Sequence, residues 1–273
     1  MIVRSILRSA ALLACLIGCG TSGSDGATDG GSQTTSGDGG TTTGASTLND
    51  GYKKATWGTG VTVTYGDCTL TYTSNGLPNH TRDAEYALPN AGVMVPSSAT
   101  SYAATDPTVA QSYSLTINTC KAVSSTTAAT PLGNIGYMIS GASLFNPYEG
   151  DGTTVALGSN FSVKNAGGTD VFFVDACNGH PTPRGQYHYH GLPPCVTSQV
   201  DTTGGPSHII GIANDGYPIY GDRDVAGNAV TVDKLDSCNG ITSATPEFPE
   251  GIYHYVLLNT TDGSSAMRCL KGK

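Results

Sequence analysis

Six histidines stand in the 273-residue chain, and three of them fall between positions 180 and 190, in Cys177-Asn-Gly-His180-Pro-Thr-Pro-Arg-Gly-Gln-Tyr187-His188-Tyr189-His190. On a strand, side chains at i and i+2 share a face. His188 and His190 therefore present two imidazoles side by side, with Tyr187 and Tyr189 packed on the other face. Neutral imidazole is a favoured ligand of transition metals, and a loop that returns His180 beside the pair completes three ligands. The spacing predicts a metal centre at His180, His188 and His190. Imidazole-only ligation suits copper and zinc equally, and there is no methionine cluster to choose between them. The competing reading is a structural Tyr-His strand whose rings are packed and hydrogen-bonded in the core of a surface interaction or adhesion module.

The elements that position these residues repeat. Gly136-Tyr-Met-Ile-Ser-Gly141-Ala-Ser-Leu144-Phe145 matches Gly211-Ile-Ala-Asn-Asp-Gly216-Tyr-Pro-Ile219-Tyr220 without a gap. Asp175-Ala-Cys177-Asn-Gly179 then matches Asp236-Ser-Cys238-Asn-Gly240, and Gly185-Gln-Tyr187-His188-Tyr189 matches Gly251-Ile-Tyr253-His254-Tyr255. Residues 132–200 and 208–272 thus read as two degenerate copies of one β-rich unit. The second copy keeps His254 in the place of His188, but has Ile241 for His180 and Val256 for His190. Packing about a pseudo-twofold axis would turn His254 toward His188 as a further ligand. Asp175 and Asp236, two residues before a cysteine, read as turn or cap residues.

The segment 47–131 precedes the repeats and is expected to pack with 132–273 as one domain. It alternates apolar and polar residues at Val61, Val63 and Tyr65, at Leu70 and Tyr72, and at Tyr113, Leu115 and Ile117. That period belongs to half-buried strands. No helical period persists over three turns, and only 12% of residues are charged while 37 are glycine, against about 25% charge in an average domain. The fold class expected is mainly β, a disulfide-stapled sandwich or barrel-like domain with little helix.

Residues 1–18 read as an export signal. Arg4 and Arg8 precede the apolar run Ala10 to Ile17, and Leu16-Ile17-Gly18-Cys19 resembles a bacterial lipobox. Cys19 is then the lipidated residue. The segment 20–46, nearly all Gly, Ser, Thr, Asp and Ala, is a tether too polar to fold. This gives an exported protein held at the cell envelope by a lipid anchor. Six of the eight cysteines remain, an even count that in an exported chain implies disulfides. Six cysteines allow fifteen connectivities. If each repeat closes on itself, the pairs are Cys177–Cys195 and Cys238–Cys269, which leaves Cys68–Cys120.

At these residues the chain resembles the YHYH domain family of exported bacterial proteins. The landmarks are Ser74-Asn-Gly-Leu-Pro-Asn-His80, Asp175-Ala-Cys-Asn-Gly-His180, Tyr187-His-Tyr-His190, Ile210-Gly-Ile-Ala-Asn-Asp-Gly-Tyr-Pro-Ile-Tyr-Gly221, Leu235-Asp-Ser-Cys-Asn-Gly240 and Arg268-Cys-Leu-Lys-Gly272. The resemblance implies export and draws His80 toward the cluster as another candidate ligand. It carries no assigned reaction. Where the family pattern often has histidine after the second Asn-Gly, this chain has Ile241.

Several chemistries are absent. There is no Gly-x-Ser-x-Gly elbow, no His-Glu-x-x-His helix and no phosphate-binding glycine loop, hence no nucleotide cofactor. A standard cupin is disfavoured, because Gly191-Leu-Pro-Pro-Cys195 stands where that motif continues to a glutamate. A formal net charge of −8 argues against nucleic acid as a partner. The sequence leaves a protein or small-molecule partner open. If catalysis occurs, it must come from a metal-dependent hydrolase or oxidase site on an extracellular substrate, although no carboxylate near the histidines announces itself as a base.

Overall fold

Threonine and tyrosine alternating with valine and leucine build the first strands. In the computed structural model, which describes residues 47–93 and 96–272, a one-turn helix α1 (Leu48–Tyr52) leads into β1 (Val61–Tyr65) and β2 (Thr69–Ser74). The expected signal 1–18, Cys19 and the tether through residue 46 lie outside the described residues. β3 (Tyr86–Pro89) pairs with β4 (Ala99–Ala103), and β5 (Tyr113–Asn118) adds to β2 to give the antiparallel sheet β1-β2-β5. Leu70, Tyr72 and Ser74 of β2 point inward and are buried. The Tyr72 hydroxyl donates to the Met138 carbonyl at 3.0 Å, and that of Tyr52 to the Gly216 carbonyl at 2.9 Å. Both tie this segment to the repeats, and one hydrophobic core runs through all of them.

The next strands are β6 (Ala128–Ala129), β7 (Asn134–Met138), β8 (Ser143–Phe145), β9 (Ser162–Lys164), β10 (Asp170–Phe172), β11 (Gly179–Pro181) and β12 (Tyr187–Tyr189). A short helix α2 (Pro194–Thr197) follows, then β13 (Ile209–Ala213), β14 (Pro218–Tyr220), β15 (Gly240–Ser243), β16 (Ile252–Val256) and β17 (Cys269–Leu270). Eight of these form the principal sheet, in the order β11-β12-β8-β7-β13-β14-β16-β15. The order reads the same from either edge once each strand is exchanged for its sequence counterpart. Each sequence copy supplies four neighbouring strands, and the copies join through the antiparallel pair β7–β13. The turns after β7 and β13 carry Gly141 and Gly216 at φ 105 and 92, a conformation that suits glycine. The molecule is mainly β.

One local device recurs in both copies. Asp175 accepts from the amides of Cys177 and Gly179, and its other oxygen from the hydroxyls of Tyr187 at 2.7 Å and Tyr86 at 2.9 Å. Asp236 accepts from the amides of Cys238 and Gly240 and from the hydroxyl of Tyr253 at 3.1 Å. The residue after each cysteine, Asn178 or Asn239, takes a left-handed φ of 61 or 63, a region asparagine tolerates. A Cβ on Gly179 or Gly240 would collide with the tyrosine hydroxyl opposite. The disulfides are Cys68–Cys120, Cys177–Cys195 and Cys238–Cys269. The second and third each clamp the end of one Asp-x-Cys-Asn-Gly turn within its own copy.

Asp175 is buried and Asp236 half-buried with Lys271 at 2.8 Å, so the two acceptors differ in cost of removal. Asp175→Ala strands two buried hydroxyls and two amides and should lower stability in chemical denaturation by about 3–4 kcal/mol. Asp236→Ala should cost about 1–2 kcal/mol, because water can replace part of what is lost. Equal effects would mean that burial does not govern these turns.

Candidate metal centre

The antiparallel pairing of β11 and β12 sets His180 directly across from His188, and His190 follows two residues on, on the same face. All three are buried. β8 runs parallel to β12 with Ser143 opposite His188, so its end brings Phe145 and Asn146 against the imidazoles. Phe145 stacks on His188 with centroids 3.8 Å apart, and Phe173 meets His180 edge-on at 4.3 Å. The rings are held by aromatic walls and by a hairpin braced at the Cys177–Cys195 bridge.

Their nitrogens converge. His188 Nε2 lies 2.9 Å from His190 Nε2, and His180 Nε2 lies 3.1 Å from it. The opposite nitrogens face carbonyls: His188 Nδ1 is 3.1 Å from the Gln186 oxygen, and His190 Nδ1 is 2.8 Å from the Asn146 oxygen. A carbonyl only accepts, so both Nδ1 atoms carry the proton. In the neutral ring each Nε2 is then a bare lone pair. Two lone pairs at 2.9 Å repel unless a cation sits between them. Nδ1–H bonded to a carbonyl, with Nε2 turned inward, is also the outer-shell pattern that orients metal-ligating histidine.

Protons do not readily supply that cation. Burial, reinforced by the neighbouring imidazoles, holds His180 and His188 well below the usual imidazole range. Burial pushes His190 down to about 4, against the opposing pull of the Asn146 carbonyl. The trio is neutral at pH 7, as ligation requires. Tetrahedral coordination with M–N distances of about 2.0–2.1 Å sets ligand nitrogens roughly 3.3 Å apart, so a small outward adjustment of the rings fits an ion. The three residues can hold a metal ion.

The other candidates are placed elsewhere. His80 lies on the tyrosine face of β12: its Nε2 is 2.7 Å from the Tyr189 hydroxyl, and its Nδ1 is 3.4 Å from Cys177 Sγ. It forms a second close group with Cys177 and Cys195, but these two sulfurs share a disulfide, and the metal-binding form of cysteine is the thiolate. His254 does not face His188. Four strands separate β12 from β16, which amounts to about 24 Å at the usual strand spacing. Its Nδ1 is 3.0 Å from the Ile252 carbonyl, its ring packs on Tyr220, and it lines a separate cleft of about 410 Å³. Side-by-side packing of the copies through β7 and β13 puts the two hairpins at opposite edges, which is why the two histidines diverge. His208 pairs with Glu247 at 2.7 Å.

The trio opens on a cleft of about 420 Å³ whose lining includes Tyr86, Leu88, Phe145, Glu149 and Phe173. Glu149 is a residue that sequence reasoning missed. Burial, with Asp151 nearby, raises its carboxyl to about 7, and its Oε1 is buried with no hydrogen-bond partner. No spacing links position 149 to 180–190. The link is the parallel β8–β12 pairing, which the sequence does not announce.

With this geometry in hand, the comparison with known families is clear. The family model described as YHYH protein matches residues 112–232 and 223–272, more than half of the chain, and the chain belongs to that family. No curated protein and no solved structure matches it.

Depressed imidazoles couple stability to pH. Unfolded histidine titrates near 6.5, so between pH 6.5 and 4 the unfolded chain binds more protons than the folded one. Stability is then complete above about 6.5 and is lost as pH falls. Metal-free protein should show a Tm that declines from pH 7 to pH 4.5. His190→Asn should make that decline shallower, by up to roughly 3 kcal/mol over the range. An unchanged slope would mean that His190 titrates normally in the folded chain.

Proposed function

We propose that this YHYH protein is exported, anchored by lipid at Cys19, and binds one transition-metal ion, copper or zinc, through His180, His188 and His190 at the cell envelope. The observation that carries the metal reading is the convergence of Nε2 atoms at 2.9 and 3.1 Å with Nδ1 atoms turned to carbonyls. A purely structural Tyr-His core would give each ring a complementary donor and acceptor, whereas the Nε2 atoms of His188 and His190, each with its Nδ1 turned to a carbonyl, face each other with no donor between them. Export and anchoring are supported by the Arg4/Arg8 signal, the Leu16-Ile-Gly-Cys19 lipobox and six cysteines joined in three bridges. Such a site serves metal capture or sensing outside the cytoplasm.

Elemental analysis of protein purified without chelator or affinity tag should find about one copper or zinc per chain. His188→Ala/His190→Ala should lose it, with affinity reduced by more than the 10–100-fold that an outer-shell change costs. Equal, substoichiometric metal in both proteins would leave the structural reading standing. For the anchor, Cys19→Ser should abolish incorporation of labelled palmitate and release the protein from the membrane fraction. Unchanged labelling would remove Cys19 as the lipid site.

A further inference from the structure

The same cleft carries more than a place for an ion. Glu149 is presented by a tight turn, with its amide donating to the Thr154 carbonyl at 2.7 Å and its carbonyl accepting from the Gly152 amide at 2.9 Å. A Tyr148–Val155 bridge closes this turn. Glu149 lines the cleft that the three imidazoles floor and is not part of their tight ligand group, so it is free to act on what the cleft holds rather than as a fourth ligand in that group. Its Oε1 is buried and accepts no hydrogen bond, so that oxygen gains a partner from the cleft only when the side chain rotates to bring it to the surface.

Apart from Tyr86, Tyr148 and Thr182, the side chains that line the remainder of the cleft are apolar. Leu88, Val93 and Leu132 stand at 38, 43 and 52% exposure and line it together with Phe145, Phe173 and Pro183. Large apolar side chains left in water around a cavity of about 420 Å³ mark a ligand site rather than a surface accident. Among the described residues that line it there is no lysine or arginine, so the only positive charge a substrate would meet there is the metal's own. A neutral carbonyl bearing an apolar chain is what its chemistry suits.

We infer that Glu149 is the proton acceptor for a water held by the metal at His180, His188 and His190, and that the site hydrolyses carboxylic esters with an apolar acyl chain. This rests on the metal reading above. The water oxygen bonds to the acyl carbon while its proton passes to Glu149. The bond from that carbon to the ester oxygen then breaks, and the departing oxygen keeps the electron pair and takes the proton back from Glu149. One water is consumed and one acid and one alcohol are released. A three-histidine site with an open position is a recurring catalytic arrangement for zinc, and the buried carboxyl, raised by its apolar surroundings to about 7, is matched to proton transfer at neutral pH.

The test uses the full protein loaded with zinc and three probes: p-nitrophenyl acetate, butyrate and octanoate. Hydrolysis should scale with bound zinc, and kcat/KM should rise with chain length toward a limit of three- to fourfold per buried methylene. Glu149→Gln should keep its zinc and lose about 100-fold or more in kcat. A second readout is independent of turnover: octanohydroxamate should bind zinc-loaded wild type more tightly than acetohydroxamate by calorimetry, and Leu132→Asp should erase most of that difference. Zinc-loaded wild type that hydrolyses none of the esters overturns the inference while leaving metal binding intact. Glu149→Gln with an unchanged kcat does the same. Wild type that takes up no zinc or copper instead overturns the metal reading, and this one with it.

Discussion

Two neutral imidazoles cannot aim lone pairs at each other across 2.9 Å without something positive between them. That constraint organises the account. The Gln186 and Asn146 carbonyls fix the protons on Nδ1, burial keeps the rings from taking extra protons, and Phe145 and Phe173 prevent the rings from turning away. Each feature makes the bare trio less comfortable, and together they preorganise it for an ion. The Asp175 turn and the Cys177–Cys195 bridge matter because they hold the hairpin that carries His180 and His188, two of the three candidate ligands.

The symmetric strand order clarifies what the second copy does. Asp236, Asn239, Tyr253 and the Cys238–Cys269 bridge reproduce the clamp of the first copy nearly atom for atom. Tyr255 bonds to Asp215 as Tyr189 bonds to Ser140. The scaffold is shared, yet Ile241 faces His254 across β15 and β16 where His180 faces His188. One imidazole with an isoleucine opposite cannot assemble a ligand set, so the second hairpin braces the sheet edge and the first carries the candidate chemistry.

Much of this was legible in the chain itself. Period-two alternation at Val61–Tyr65 and Leu70–Tyr72 marks strands because only one face is buried, and the i, i+2 spacing of His188 and His190 places them together for the same reason. The within-copy disulfides are those that the repeat suggests. What was not legible depends on the partners that strands choose. Antiparallel joining of the copies at β7–β13 carries His254 away from His188, although the sequence alone equally suits a face-to-face arrangement. Parallel pairing of β8 with β12 brings Phe145, Asn146 and the Glu149 turn to the histidines across some forty residues of chain. His80 has the motif context of a ligand, but packs on the tyrosine face because its segment docks behind β12.

The central claim is that a metal ion sits among three Nε2 atoms. It is tested most directly by anomalous diffraction at the copper or zinc edge from crystals of the metal-loaded protein. The account predicts a single strong peak bounded by His180, His188 and His190, with the Nδ1 contacts to Gln186 and Asn146 preserved. A peak elsewhere, or none with the three rings still drawn together, would contradict it.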